Sequence, residues 1–314
     1  MRKVILAIFI VALGTVSIPA PMMARAAAQE RTLADQGAVM ARLLDAGLQI
    51  QTALGSLFSS QFIEPDASAR LWRDTLRARR PEIDQTLAVI RQASVEIQGL
   101  RASGNELSDR QINSFVDTLS EQADTAEAML VSLIEVSDSL EAGERGAVDR
   151  GIEALIHGPV LMMDGQALSL RTQAAMFPPG QSQQHLAYAS AALTEGVSFK
   201  LKALNGLVPQ RQARDEIRSR AESIAANVEE GLAALEREIL TGTTDVEQAA
   251  LIDRLVPLKR EAFILVQQGE NLLIRAASEV ERNEDSEAWW TDYDTLSLRI
   301  NQNTSEQLRI IAGN

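Results

Sequence analysis

Apolar residues recur along this chain with the period of an α-helix nearly from end to end. After Ser108 the apolar or small positions are Ile112, Phe115, Leu119, Ala123, Ala126, Leu130, Leu133, Ser137 and Leu140. A 3-4 spacing sustained over this length is the seam of a bundle helix. A second seam runs Ile217, Ala221, Ile224, Val228, Leu232, Leu235, Ile239, and a third Ala262, Val266, Gly269, Leu273, Ala276, Val280. No stretch alternates strictly enough to predict a strand.

Turn and cap residues divide the pattern into eight predicted helices. The breaks fall at Glu64-Pro65-Asp66, residues 102–108, Gly143–Gly146, Pro178-Pro179-Gly180, Pro209, Thr241–Asp245 and Asp285-Ser286. Ser108 with Gln111 reads as a capping box, and Asp245 and Asp285-Ser286 are ready N-caps. Pro81 and Pro257 predict kinks, and Gly158-Pro159 predicts an interruption.

The eight helices read as two sets of four. Asp164-Gly165-Gln166-Ala167-Leu168-Ser169-Leu170-Arg171 matches Asp292-Tyr293-Asp294-Thr295-Leu296-Ser297-Leu298-Arg299 at five of eight positions. Arg73-Asp74-Thr75-Leu76-Arg77 pairs with Arg214-Asp215-Glu216-Ile217-Arg218. Val116-Asp117-Thr118-Leu119 pairs with Ile252-Asp253-Arg254-Leu255, and Ala53-Leu54 with Ala203-Leu204. The matches keep their order, as an internal duplication requires. Short connections make neighbouring helices antiparallel. The expected architecture is therefore all-α: two tandem antiparallel four-helix bundles, residues 29–178 and 179–314.

Residues 1–28 read as an address. Arg2 and Lys3 precede an unbroken apolar run from Val4 to Leu13, and A-x-A patterns end at Ala26 and Ala28. That is a cleaved Sec-type signal peptide, too short to span a bilayer. Cleavage removes three basic residues and leaves a chain more acidic still. No other apolar stretch is long enough for a transmembrane span, so the expected location is the periplasm or the medium.

Composition then narrows the chemistry. Among 314 residues there are no Cys, two His, 30 Lys plus Arg and 43 Asp plus Glu, a net charge of −13. The absence of Cys removes disulfides, thiolate metal sites and a Cys nucleophile. The acidic balance opposes nucleic-acid binding. No nucleophile elbow, phosphate loop or zinc-protease motif is present, so no catalytic residue, cofactor or metal is assigned. Glu153 and His157 share a helix face, but two His in all do not build a di-iron bundle site. His185 reads as a surface residue, and Met162, Met163 and Met176 as core fillers. Glu279, Glu281, Glu284, Asp285 and Glu287 lack the spacing of a calcium loop and read as a solvated helix start.

Three candidate features remain. Trp289, Tyr293, Leu296 and Ile300 form a core stripe, and Trp290, off that stripe, is the aromatic expected to touch a partner. Arg171 and Arg299 close the repeated Leu-Ser-Leu-Arg. Each either presents its guanidinium fork to an anion or pairs with Asp164 or Asp292 one or two turns back. Ser169-Leu170-Arg171-Thr172-Gln173 resembles the Ser-Leu-Arg-Met-Gln box of periplasmic nitrate-sensor four-helix domains. Leu168-Ser169-Leu170-Arg171 resembles the box end of type IV pilus chemotransducer amino-terminal domains. Leu168 stands where the nitrate-sensor box has Gly, as does Leu296 in the copy, where Ile300-Asn301 also displaces Gln302 by one.

This resemblance implies an exported sensor-like bundle whose box Arg helps bind a small anion. Arg171 with Ser169 and Gln173 would form the site, and Arg299 with Ser297 its copy. The expected function is non-catalytic ligand binding in concert with a membrane-bound partner. The alternative is an envelope protein that binds another helical protein through a bundle face.

Overall fold

The computed structural model describes residues 33–58, 67–104, 107–241 and 246–311. The proposed signal peptide lies outside them. The described residues form eight α-helices and no strand: α1 (Leu33–Phe58), α2 (Ala69–Gly99), α3 (Leu107–Glu141), α4 (Ala147–Met176), α5 (Ser182–Leu204), α6 (Gln210–Thr241), α7 (Val246–Glu281) and α8 (Glu287–Ile311).

Local chemistry sets these ends. Ser68 Oγ accepts from Leu71 N at the start of α2, and Ser286 Oγ accepts from Trp289 N at the start of α8. α3 ends where Gly143 takes φ 73° and Glu144 N returns to Ser139 O at 2.9 Å. α7 ends the same way, with Asn283 at φ 55° and Glu284 N on Glu279 O at 2.8 Å. Both are left-handed C-caps, which favour Gly and tolerate Asn. Two expectations are corrected. α3 begins at Leu107, so Ser108 sits within its first turn and is not the N-cap. Pro159 lies inside a continuous α4 and does not divide it.

Every position of the α3 seam, from Ile112 to Leu140, is buried, as is every position of the α7 seam, whereas Leu232 and Ile239 of the α6 seam are only half-buried. Consecutive helices pack on one another throughout, and α1 also meets α3 as α5 meets α7. The first helix of each set does not close principally on the fourth. Among the described residues α4 lies against α5, and α8 lies against α1. The packing scheme therefore repeats under a shift of four helices, with each fourth helix carried over to the other set.

The cores follow this exchange. One cluster joins α1, α2 and α3 with Ala147 and Leu155 from the first half of α4. The other joins α5 to α8 with Val160 and Met163, from further along the same helix. The turn at Pro178-Pro179-Gly180 divides the chain, but α4 belongs to both cores. α5 is buried almost all round, from Leu186 through Ala191, Thr194 and Val197 to Leu201. Its Ala, Ser and Gly residues let α4, α6 and α7 approach closely; a Cβ on Gly196 would overlap the side chain of Leu273.

Candidate ligand-binding site

The residues of the repeated box point in two directions. On α4, Ser169 and Gln173 are buried and face inward. Gln173 Nε2 donates to Ser169 Oγ at 3.2 Å, and Ser169 Oγ shares a hydrogen bond with Thr118 of α3. Arg171, two residues from each, leaves on another face, because successive helical residues are about 100° apart. Its guanidinium forks onto Glu195 of α5, with Nη2 2.8 Å from Oε2. Arg220 of α6 reaches the same carboxylate, Nε to Oε2 2.6 Å, and also pairs with Glu216 at 3.2 Å. The hydrogen bond to Glu195 raises the Arg171 pKa further, against the effect of burial.

Arg299 is not placed as Arg171 is. It reaches Gln268 at 3.3 Å and Glu261 at 3.9 Å, both on α7. The reason is phase. In α4 Leu168 is exposed and Leu170 buried, whereas in α8 Leu296 is buried and Leu298 exposed. The matched octets therefore sit rotated about their helix axes by about one residue. Asp164 and Asp292 are not the partners of these arginines either. Asp164 accepts from Lys202 and from Ser198, and Asp292 accepts from Arg275 at 2.6 Å.

Ser297 is buried, and so is Asn301 beyond it. Asn301 is 2 % exposed and its amide has no hydrogen-bond partner. One turn before Ser297, Asp294 has a buried oxygen without a partner, and burial raises its pKa to about 7.

Trp290 is corrected most plainly: it is buried, not displayed to a partner. Its indole N–H donates to Asp285 at 2.7 Å. Trp289 is edge-on to it and stacks on Tyr293, with ring centroids 4.7 and 5.5 Å apart respectively. The occupant of this aromatic cage went unrecognised in the sequence. Lys200 of α5 is 0 % exposed, with its ammonium 4.1 Å from the Trp289 centroid and 5.5 Å from that of Trp290. It donates to Glu279, the α7 acid read above as solvated, which is in fact buried. Burial lowers the Lys200 pKa; Glu279 and Asp285 oppose that. The one available signal was the reach from Lys200 to an acid near the Trp pair, and separation in sequence hid it.

The remaining candidates are quieter. Glu153 and His157 are exposed. His185 is mostly buried beside Asn227 and Glu230. No group of three or more His, Asp or Glu converges to hold a metal among the described residues. An open groove of about 530 Å³ runs along the first turns of α6, lined by Pro209, Arg211, Gln212, Asp215, Glu216 and Ser219. No family model, curated protein or solved structure matches this chain.

Proposed function

We propose that this chain is an exported, non-catalytic, ligand-binding helical protein built from two duplicated four-helix units, acting with a membrane-bound partner. The duplication is supported by side chains that recur in position. Arg77 of α2 pairs with Glu141 at the end of α3, and Arg218 of α6 with Glu281 at the end of α7. The left-handed caps at Gly143 and Asn283 follow these acids at the same distance. Counting from those ion pairs, Ile90 and Ala123 correspond to Gly231 and Phe263, a register about one helical turn away from the Val116/Ile252 match read from the sequence. Gly231 packs against Phe263, while a large Ile and a small Ala hold the counterpart positions.

Ligand binding is carried by one observation: Arg171 and Arg220 converge on Glu195 where α4, α5 and α6 meet, with Arg171 half exposed. The Arg171 fork and the Arg220 guanidinium around one carboxylate resemble the arrangement an anionic ligand would meet, and Glu195 stands in for it. A thermal-shift panel of small anions tests this. Stabilisation of the native chain that is lost in Arg171→Ala supports the reading, and Arg299→Ala tests the copy. Equal profiles for native and variant proteins would sink the anion site.

A second reading, an envelope protein that binds another helical protein, is favoured by Leu161 and Leu168. Both are exposed and lie a heptad apart on α4. Affinity capture from a periplasmic extract would then retain a protein that Leu161→Glu/Leu168→Glu releases.

A further inference from the structure

α4 changes company halfway along. Its first half packs into the α1–α3 core: Gly151 lies under the Trp72 ring and beside Val136, Leu155 belongs to that cluster, and Gly158 lies against Met129. From Val160 and Met163 onward the helix joins the α5–α8 core, and Ala174 and Phe177 close on Ala187 of α5. Charge fastens the same half to α5. Arg171 forks onto Glu195, and Asp164 accepts from Ser198 at 2.6 Å and from Lys202 at 2.7 Å. Among the described residues the two apolar clusters do not join.

Toward α3 the composition of α4 changes at the same point. Gln166, Ser169 and Gln173 recur at i, i+3 and i+7 along one face, and all are buried. Ser169 shares a hydroxyl hydrogen bond with Thr118 of α3, and Gln173 donates to Ser169 at 3.2 Å. The other meeting of the two sets, α8 on α1, is polar on its α8 side. Asp292 and Arg299 bond to α7 from one edge of α8. Asn301, and Asp294 two turns before it, lie on the opposite edge, the side left to α1. Asn301 is 2 % exposed with neither amide atom partnered, and one Asp294 oxygen is likewise buried without a partner.

The switch of core falls at Gly158-Pro159. Pro159 lies inside α4 without an N–H, so the Leu155 carbonyl lacks its helical donor, and a helix bends most easily at such a point. α4 is also the covalent link between the two cores. Polar seams open at small cost because their groups exchange protein partners for water, and an unpartnered buried amide gains by the exchange. Polar interfaces between parts of one chain permit relative motion.

We propose that the chain is a two-body hinge. α1–α3 with α4 up to Gly158 form one rigid body, and the rest of α4 with α5–α8 forms the other. Bending at Gly158-Pro159 parts α4 from α3 and α8 from α1, and exposes Thr118, Ser169, Gln173 and Asn301. Arg171, Glu195 and Arg220 travel together within the second body, so the motion does not depend on the ligand-binding reading.

The chain has no Cys, so introduced thiols can be labelled without interference. Val95 of α2, Leu240 of α6 and Leu298 of α8 are exposed. Pulsed EPR on spin labels at Val95→Cys/Leu240→Cys reads the distance between the bodies, and Leu240→Cys/Leu298→Cys reads a distance within the second. The first pair should give a distribution roughly twofold broader than the second. Pro159→Ala, which restores the missing hydrogen bond, should narrow it. In the folded chain Ser169→Cys should react with a thiol reagent about tenfold faster than Leu133→Cys, a core position that opens only with its whole body. A distribution between the bodies as narrow as the one within the second overturns the hinge even if Ser169→Cys reacts quickly, because local fraying of α4 then explains the labelling. A broad distribution that Pro159→Ala leaves unchanged puts the flexing elsewhere and also overturns it. So does equal labelling at positions 169 and 133, because the α3–α4 seam then stays shut.

Discussion

The interior of α1–α3 and the interior of α5–α8 follow one packing scheme but are made of different chemistry. The first is mostly aliphatic, from Leu43 and Ile50 through Ile83 and Ile90 to Leu130, with Phe115 and Trp72 as its buried aromatics. The second keeps an aliphatic middle but holds the Lys200–Glu279 pair under two indoles at one end and the Ser182–Glu238 hydrogen bonds beside a buried Gln183 at the other. An apolar core needs only volume and pattern. Buried polar groups need specific partners, and each unpartnered one costs stability. Among the described residues the first half leaves one buried side-chain polar atom unpartnered, Trp72 Nε1, whereas the second leaves several, on Gln183, Asp294 and Asn301 among others, so more of the second half's stability depends on polar groups.

The largest break in that comparison comes from Lys200→Met. It leaves Glu279 buried without its counter-charge and should cost about 3–5 kcal/mol in urea unfolding. Lys200→Met/Glu279→Leu should recover most of the loss, because the pair is then gone as a unit. A double variant no better than the single would mean that the pair itself holds α5, α7 and α8 together.

Gly231→Ala comes next. Its Cβ would overlap the Phe263 ring and press on His185 Cβ at 2.9 Å. The expected cost is about 1–3 kcal/mol. Gly231→Ala/Phe263→Leu should recover part of it by restoring space, as double-mutant unfolding curves would show.

The third effect depends on pH. The Asp294 carboxyl has a folded pKa of about 7, well above its ordinary value. A raised carboxyl pKa contributes fully below the unfolded value near 4, and its contribution is lost as pH rises towards 7. The native chain should therefore lose up to about 1.4 kcal/mol per pH unit across that window from this group. Asp294→Asn should flatten the profile there, and unfolding curves at pH 5 and 7.5 would show the difference between the two proteins.

The smallest effect separates the two box arginines. Arg171→Ala removes a two-pronged bond to a mostly buried Glu195 and should cost about 1 kcal/mol. Arg299→Ala, whose contacts are long and exposed, should cost under about 0.5 kcal/mol. Equal costs would restore the symmetry that the matched octets imply.

Much of the architecture was legible because its causes are local. The 3-4 spacing from Ile112 to Leu140 predicts a buried face, and that face is buried. Among the described residues the breaks at Gly143–Gly146, Pro178-Pro179-Gly180, Pro209 and Asp285-Ser286 separate helices as read, while Glu64-Pro65-Asp66 and residues 242–245 lie outside the described residues. The Arg73-Asp74 and Arg214-Asp215 segments also match in space, because the same arginine-to-acid pairs close α2 on α3 and α6 on α7.

The site was less legible. The best match in the sequence, Leu-Ser-Leu-Arg, misled on equivalence, since identical letters sit at different rotations on α4 and α8. The box Arg was legible as a cation, but its partner Glu195 lies on the next helix, across the Pro178-Pro179-Gly180 turn. Trp290 was judged by its own helix's stripe, which omits the neighbours that bury it. Gln183 carried no signal, because an unpartnered donor is visible only when every possible partner has been placed.

The sequence by itself determined that the chain is helical, where most of the breaks between its helices fall, and which faces are apolar. Those properties follow from 3.6-residue periodicity, capping and backbone preference within a few residues. Only the tertiary structure decided that α4 lies on α5 and α8 on α1, that Glu195 takes the Arg171 fork, and that Lys200 is caged by Trp289 and Trp290. Register, rotation and the partner of a buried charge depend on side chains far apart in sequence, summed over all the helices at once.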